Sequence, residues 1–202
     1  MKKVIIASQN KGKISEIREI LAKYGIDSVS RDDAGIPDFE IEETGETFEE
    51  NSLIKAKAIS DIVHLPTIAD DSGLEVDALC GRPGVYSARY SGIGCSMQDN
   101  RDKLLREMKK VPEGERGARF VTVITLLYPD GSKIVARGEC KGSISTAERG
   151  NNGFGYDSLF IPDGWDKTFG EVDRDVKNLV SHRGRALRKL EDLIVEVQGK
   201  GE

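Results

Sequence analysis

Cysteine and histidine are too scarce to organise this chain: its 202 residues include three cysteines, Cys80, Cys95 and Cys140, and two histidines, His64 and His182. The cysteines are odd in number, far apart and outside any C-x-x-C spacing. That argues against a disulfide framework, a zinc site or a paired nucleophile motif, and fits a reducing compartment. His64 has no second histidine or thiolate at a ligating spacing and is given no metal role. No apolar run approaches the length of a membrane span, and the run at positions 4–7 is far too short for a signal-peptide core. A soluble, cytoplasmic protein with no membrane partner is expected. Positive charge is not in excess either: 30 Lys and Arg against 35 Asp and Glu leave a net charge of -5. This argues against a nucleic-acid partner bound over a general basic surface, while leaving room for a local cationic cluster around a phosphate. Also missing are a Walker A loop, an internal repeat, a low-complexity tract and an obvious linker.

What is present is a globular composition, 38% hydrophobic and 32% charged, in a chain long enough to bury a sizeable core without covalent staples. Val4, Ile5, Ile6 and Ala7 read as a buried strand, and a polar loop follows at once. Ile14, Ile17, Ile20, Leu21 and Tyr24 recur at helical spacing, with Gly25 placed to end the helix. A second helix is expected from about Thr47, with Thr47 and Glu50 as a capping box and Phe48, Ile54, Ala58, Ile59, Ile62 and Val63 on its apolar side until Pro66 interrupts it. Positions 67–69 read as a short strand that stops at Asp70-Asp71-Ser72-Gly73. A helix over 99–110 comes next, then a hairpin of strands 118–128 and 133–140 around Pro129-Asp130-Gly131-Ser132. A strand at 158–161 and a last helix capped by Ser181, bearing Ala186, Leu187, Leu190, Ile194 and Val197, complete an α/β chain with a mixed sheet.

Three constellations carry chemistry. Ser8, Gln9, Asn10, Lys11, Gly12 and Lys13 bring hydroxyl, amide and ammonium groups to a helix N-terminus, where free N–H groups and the dipole favour a phosphate; an ordinary capping loop is the alternative. Asp70 and Asp71 after an apolar strand cannot cheaply be buried as bare charges, so a divalent cation is a natural partner, with another acid from Glu42-Glu43; a turn in which Asp caps amides is the alternative. In the segment from Gly150 to Asp157, three glycines surround Phe154 and Tyr156, which suits close backbone approach beside a flat ring, or else a tight hairpin with core aromatics. Lys177, His182 and Arg183 add donors near the last helix.

Together, Ser8-x-Asn10-x-x-Lys13, Glu43-x-x-x-Thr47-Phe48-x-Glu50-Asn51, Ala69-Asp70-Asp71-Ser72-Gly73-Leu74, Pro83-Gly84-x-x-Ser87-Ala88-Arg89, Gly153-Phe154-Gly155-Tyr156-Asp157 and Ser181-His182-Arg183 resemble the inosine/xanthosine triphosphate pyrophosphatase family over nearly the whole chain. The resemblance implies one domain over residues 1–202, an elongated mixed sheet with flanking helices in two lobes around a central nucleotide cleft, usually as a homodimer. It implies Mg2+-dependent hydrolysis of ITP, dITP and XTP to monophosphate and pyrophosphate. Ser8 to Lys13 and Lys55 would then contact phosphates. Asp71 would be base and metal ligand, with Asp70 as its electrostatic partner and Glu43 (or its neighbour Glu42) as the second metal acid. Ser72, Phe154, Gly155, Tyr156, Asp157, Lys177, His182 and Arg183 would contact substrate, His182 and Arg183 reading the 6-oxo edge of the base. A nucleotide-binding regulator without hydrolysis and a pyrophosphatase of broader specificity are the competing readings.

Overall fold

Three successive buried aliphatic residues, Val4, Ile5 and Ile6, make the first strand an interior one, covered on both faces. A computed structural model describes residues 3–23 and 25–199, leaving aside the side chains of 197–199. Tyr24 and the Val197 side chain, both expected on helix faces, lie outside the described residues. The order is β1 (Lys3–Ile6), α1 (Lys11–Lys23), β2 (Asp27–Ser30), α2 (Phe48–Val63), β3 (Thr67–Val76), α3 (Met97–Glu107), β4 (Gly117–Leu127), β5 (Lys133–Ile144), β6 (Phe160–Pro162), α4 (Arg174–Val180) and α5 (His182–Gly199), with short 3-10 turns between. The strands form a mixed sheet in the order β2-β1-β3-β4-β5-β6. β1 lies parallel to β2, with Ile5 opposite Val29, and to β3, with Ile6 opposite Ile68, whereas β5 and β6 are antiparallel. The expected α/β architecture, a mixed sheet with flanking helices, is the one found.

The chain divides into two compact units. The first comprises the described residues of Met1–Asp71, Thr122–Gly138 and Arg183–Glu202; the second, Ser72–Val121 and Glu139–His182. In the first, the two-residue period of a strand sends Val4 and Ile6 into a cluster with Ile17, Ile20 and Leu21 of α1 and Leu187 and Leu190 of α5. Ile5 and Ala7 join the opposite cluster with Ala56 and Ile59 of α2. The second unit has its own core, in which Leu104 and Met108 meet Phe120, Phe160 and Phe169.

Local chemistry explains several boundaries. Thr47 and Glu50 form the expected capping box at the start of α2, and Gly25, at φ 68°, lies just past the end of α1. Ser181, extended at φ -64° and ψ 155°, separates α4 from α5. Two expectations are corrected. The strand at 67–69 does not stop before the acid pair: β3 runs on to Val76, and Asp70 and Asp71 are buried within it. The strand can continue because basic side chains meet both charges. Ile62, placed on the buried side of α2, is 48% exposed; the buried face includes Asn51, Ser52 and Ser60.

Candidate active site

In the first unit the polar loop after β1 is organised by its own side chains, which accept from its backbone amides. Asn10 Oδ1 accepts a hydrogen bond from the Lys13 amide at 3.1 Å, capping α1, and Ser8 Oγ accepts one from the Asn10 amide at 3.2 Å. Gln9 is exposed and donates to Asp38 at 2.5 Å, and Lys11 is exposed at the first position of α1. Lys13 turns inward, its Nζ 3.2 Å from Asp70 Oδ2. Burial is the largest influence on this ammonium and takes it below its ordinary value, opposed chiefly by Asp70.

The acid pair is split by strand alternation. Asp70 faces Lys13 and the Arg183 guanidinium, whose Nη2 stands 3.2 Å away; the same guanidinium also pairs with the buried Glu16 of α1. Burial, the largest influence on Arg183, works against its charge, but Glu16 and Asp70 outweigh it and hold the guanidinium above its ordinary value. Asp71 faces α2. Lys55 Nζ lies 3.0 Å from Asp71 Oδ1 and 2.8 Å from Glu43 Oε1, so both carboxylates converge on one cationic centre. Burial raises the Asp71 carboxyl above its ordinary value against the pull of Lys55 and Lys13. For Lys55 burial is again the largest influence and favours the neutral amine, but Asp71, Glu43 and Asp70 overcome it and raise the group.

The structure adds two residues to the expected set. Asn51, fully buried and one helical turn before Lys55, donates to Asp71 Oδ2 at 3.4 Å while its Oδ1 accepts from the Gly45 amide at 2.8 Å. It thereby links the Asp71 strand to the segment that carries Glu43. A Cβ on Gly45 would lie 2.6 Å from Glu50 Cβ and 2.7 Å from Asn51 Oδ1, so only glycine fits this turn. The i to i+4 relation of Asn51 to Lys55 was the available sequence signal. Glu16 is the other addition, three residues beyond Lys13 on α1.

The second unit holds the remaining candidates. Ser72 follows Asp71 in β3 and is half-buried. Asp157 Oδ2 accepts hydrogen bonds from the Phe154 amide at 2.8 Å and from the buried Lys177 ammonium at 2.7 Å, and Lys177 stands 5.0 Å from the centre of the Phe154 ring. Gly153, at φ 76°, cannot gain a Cβ without meeting the Asp157 carboxylate. Gly155, at φ 62°, completes the bend. The Tyr156 hydroxyl, raised above its ordinary value by burial, donates to the Ser87 carbonyl at 2.9 Å. His182 stacks on Phe120 with ring centres 4.6 Å apart. Arg183, expected with His182 to read the edge of a base, directs Nη1 to Glu16 and Nη2 to Asp70.

Among the described residues no three His, Cys, Asp or Glu side chains group as a ready metal site. Glu43 and Asp71 converge on the Lys55 ammonium with hard oxygen donors, and their chemistry suits a divalent ion completed by water and phosphate oxygens.

A profile of the Ham1 family matches residues 4–193. Over 193 residues the chain is 47% identical to a dITP/XTP pyrophosphatase of Oceanobacillus iheyensis, covering 95% of this chain and 97% of that protein. It is 49% identical to one of Clostridium perfringens over 201 residues, with 95% and 97% coverage. Among solved structures it resembles the Ham1 protein of Staphylococcus aureus, at a TM-score of 0.84 and 40% identity over 96% of this chain and 99% of that one. A nucleoside-triphosphatase / dITP/XTP pyrophosphatase of Mycobacterium abscessus gives a TM-score of 0.74 and 43% identity, covering 93% of this chain and 98% of that one.

Proposed function

The chain belongs to the Ham1 family, and from that premise we propose that it hydrolyses the deaminated purine nucleoside triphosphates ITP, dITP and XTP to the monophosphate and pyrophosphate, clearing them from the nucleotide pool. The observation that carries this reading is the convergence of Glu43 and Asp71 on Lys55, beside Asp70 with Lys13. Two half-buried lysines matched by the buried Asp70 and Asp71 and the half-buried Glu43 form a site that can exchange internal ion pairs for phosphate oxygens and a metal.

Glu43 and Asp71 would hold Mg2+, which supplies charge neutralisation at the triphosphate when bound. Asp71 is the proposed base. Its raised carboxyl value suits proton acceptance, and Asn51 fixes its orientation at Oδ2. Lys13 and Lys55 offer ammonium groups to phosphate oxygens, with the loop from Ser8 to Gly12 supplying backbone donors at the start of α1. Attack by water at the α-phosphorus then releases pyrophosphate as one unit, and Asp71 takes the proton of that water.

In the second unit Phe154 is proposed to stack on the purine, with Lys177, His182 and the Gly155-Tyr156-Asp157 bend shaping the base contacts and Ser72 touching substrate. Arg183 supports the reaction by holding Asp70. The reading carries with it one catalytic domain over residues 1–202, a homodimer and a cytoplasmic setting. The free state of Cys80, Cys95 and Cys140 supports a reducing compartment, and no helix among the described residues is long and apolar enough to cross a membrane. The test is a nucleotide panel with Mg2+, resolving monophosphate, diphosphate, phosphate and pyrophosphate. ITP, dITP and XTP should give monophosphate plus pyrophosphate far faster than ATP. Diphosphate plus phosphate, equal use of ATP, or binding without turnover would overturn the reading.

A further inference from the structure

The bend that carries Phe154 is gripped from α3. Both backbone polar groups of Gly155 are taken by that helix: the amide donates to Met97 Sδ at 3.3 Å, and the carbonyl accepts from Arg101 Nη1 at 2.9 Å. Arg101 is itself locked in place. Its Nε donates to Glu148 Oε2 at 2.8 Å and its Nη2 to Gln98 Oε1 at 2.6 Å. Glu148 also accepts from Gln98 Nε2 at 2.7 Å and Ser158 Oγ at 3.0 Å, so one carboxylate joins α3 to both flanks of the glycine-rich segment. Burial pushes the Glu148 carboxyl up, but Gln98, Ser158 and Arg101 outweigh it and keep it below its ordinary value, as a fully ionised anchor. A guanidinium fork can hold a carboxylate and a carbonyl at once, which an ammonium with a single nitrogen cannot do in the same geometry.

We propose that Arg101 is a positioning residue for base recognition, holding the Gly155 peptide so that the adjacent Phe154 ring is preset for stacking. The proposal rests on the reading of Phe154 as the base platform. Arg101 touches no reacting atom and acts through the bend. Its loss should therefore weaken ground-state and transition-state binding alike and appear in KM rather than kcat.

Steady-state kinetics on ITP with Mg2+ test it in four variants: Arg101→Ala, Arg101→Lys, Phe154→Ala and the Arg101→Ala/Phe154→Ala double. Arg101→Ala should raise KM about tenfold, the span of one charge-assisted hydrogen bond, with kcat changed by less than about twofold. Arg101→Lys, which keeps the charge but not the fork, should fall between Arg101→Ala and the unaltered protein. The double variant should be little worse than Phe154→Ala, because a displaced platform and a missing one are equivalent. If Phe154→Ala raises KM while Arg101→Ala leaves it unchanged, or if the two effects multiply in full, the role of Arg101 is overturned and the platform stands. If Phe154→Ala leaves KM unchanged, the platform reading fails and the role of Arg101 fails with it.

Discussion

Replacing Arg183 by Met keeps most of the side-chain volume and deletes the charge that two buried acids share. In the folded protein Glu16 and Asp70 are 3% and 2% exposed, and Arg183 is 1% exposed between them. Without the guanidinium, Asp70 keeps the Lys13 ammonium at 3.2 Å, while Glu16 loses the cation that lies against it. Removing one partner of a buried pair leaves an uncompensated charge at a cost of about 3 to 5 kcal/mol. For a chain of this size that corresponds to a fall in Tm of about 6 to 20 °C. Thermal melting followed by circular dichroism, with urea titration as a check, measures it. The Glu16→Gln/Arg183→Met double should recover part of the loss, because the stranded carboxylate is then gone. A fall below about 1 kcal/mol, within the range of an exposed pair, would refute the reasoning and favour the expected role of Arg183 at the edge of the base.

Other consequences follow from the same geometry. The kcat/KM of the free enzyme should trace a bell whose acid limb lies above 3.8, because burial raises Asp71, and whose alkaline limb lies below 10.5, because burial lowers Lys13. Limbs at those two ordinary values would contradict both assignments. Asn51→Leu removes the donor to Asp71 and strands the Gly45 amide, so kcat for ITP should fall and stability should drop by about 1 to 3 kcal/mol; a variant with unchanged kcat would show that Asp71 needs no orienting partner. Gly153→Ala combines a strained φ of 76° with a clash on Asp157, and should destabilise by at least about 1 to 2 kcal/mol, with a raised KM for ITP. Unchanged melting and kinetics would show that the bend can relax.

The parts of the fold legible in the sequence were those written in local patterns. The Thr47 and Glu50 capping box, the aliphatic residues of β1 and the 128–132 turn each need only neighbouring residues, and each is found. β2, with the polar sequence Asp-Ser-Val-Ser, escaped because it is an edge strand that takes its pairing from β1 alone. α4 escaped because it is only seven residues long and does not bury its apolar stripe: Val176 and Leu179 are exposed, whereas Lys177 and Asn178 are buried. The length of β3 was missed for a different reason. Adjacent acids read as a strand end unless their counter-charges are known, and Lys13, Lys55 and Arg183 lie 15 or more positions away in the chain. At the candidate site, residue types pointed to the carboxylates and lysines, whereas their pairing did not follow from spacing. Strand alternation gives Asp70 to Lys13 and Arg183 and gives Asp71 to Lys55 and Asn51. Glu16 was invisible because a carboxylate on α1 reads as solvated until Arg183, 167 positions later, is seen against it.

The central claim is that water attacks the α-phosphorus of a deaminated purine triphosphate at the Asp71 site. A single turnover of ITP with Mg2+ in water enriched in heavy oxygen, with the products resolved by mass spectrometry, tests it directly. The label should appear in inosine monophosphate and be absent from pyrophosphate, and Asp71→Asn should lower the rate of its appearance by at least about a hundredfold. Label in pyrophosphate, release of inosine diphosphate and phosphate, or an undiminished rate in Asp71→Asn would contradict it.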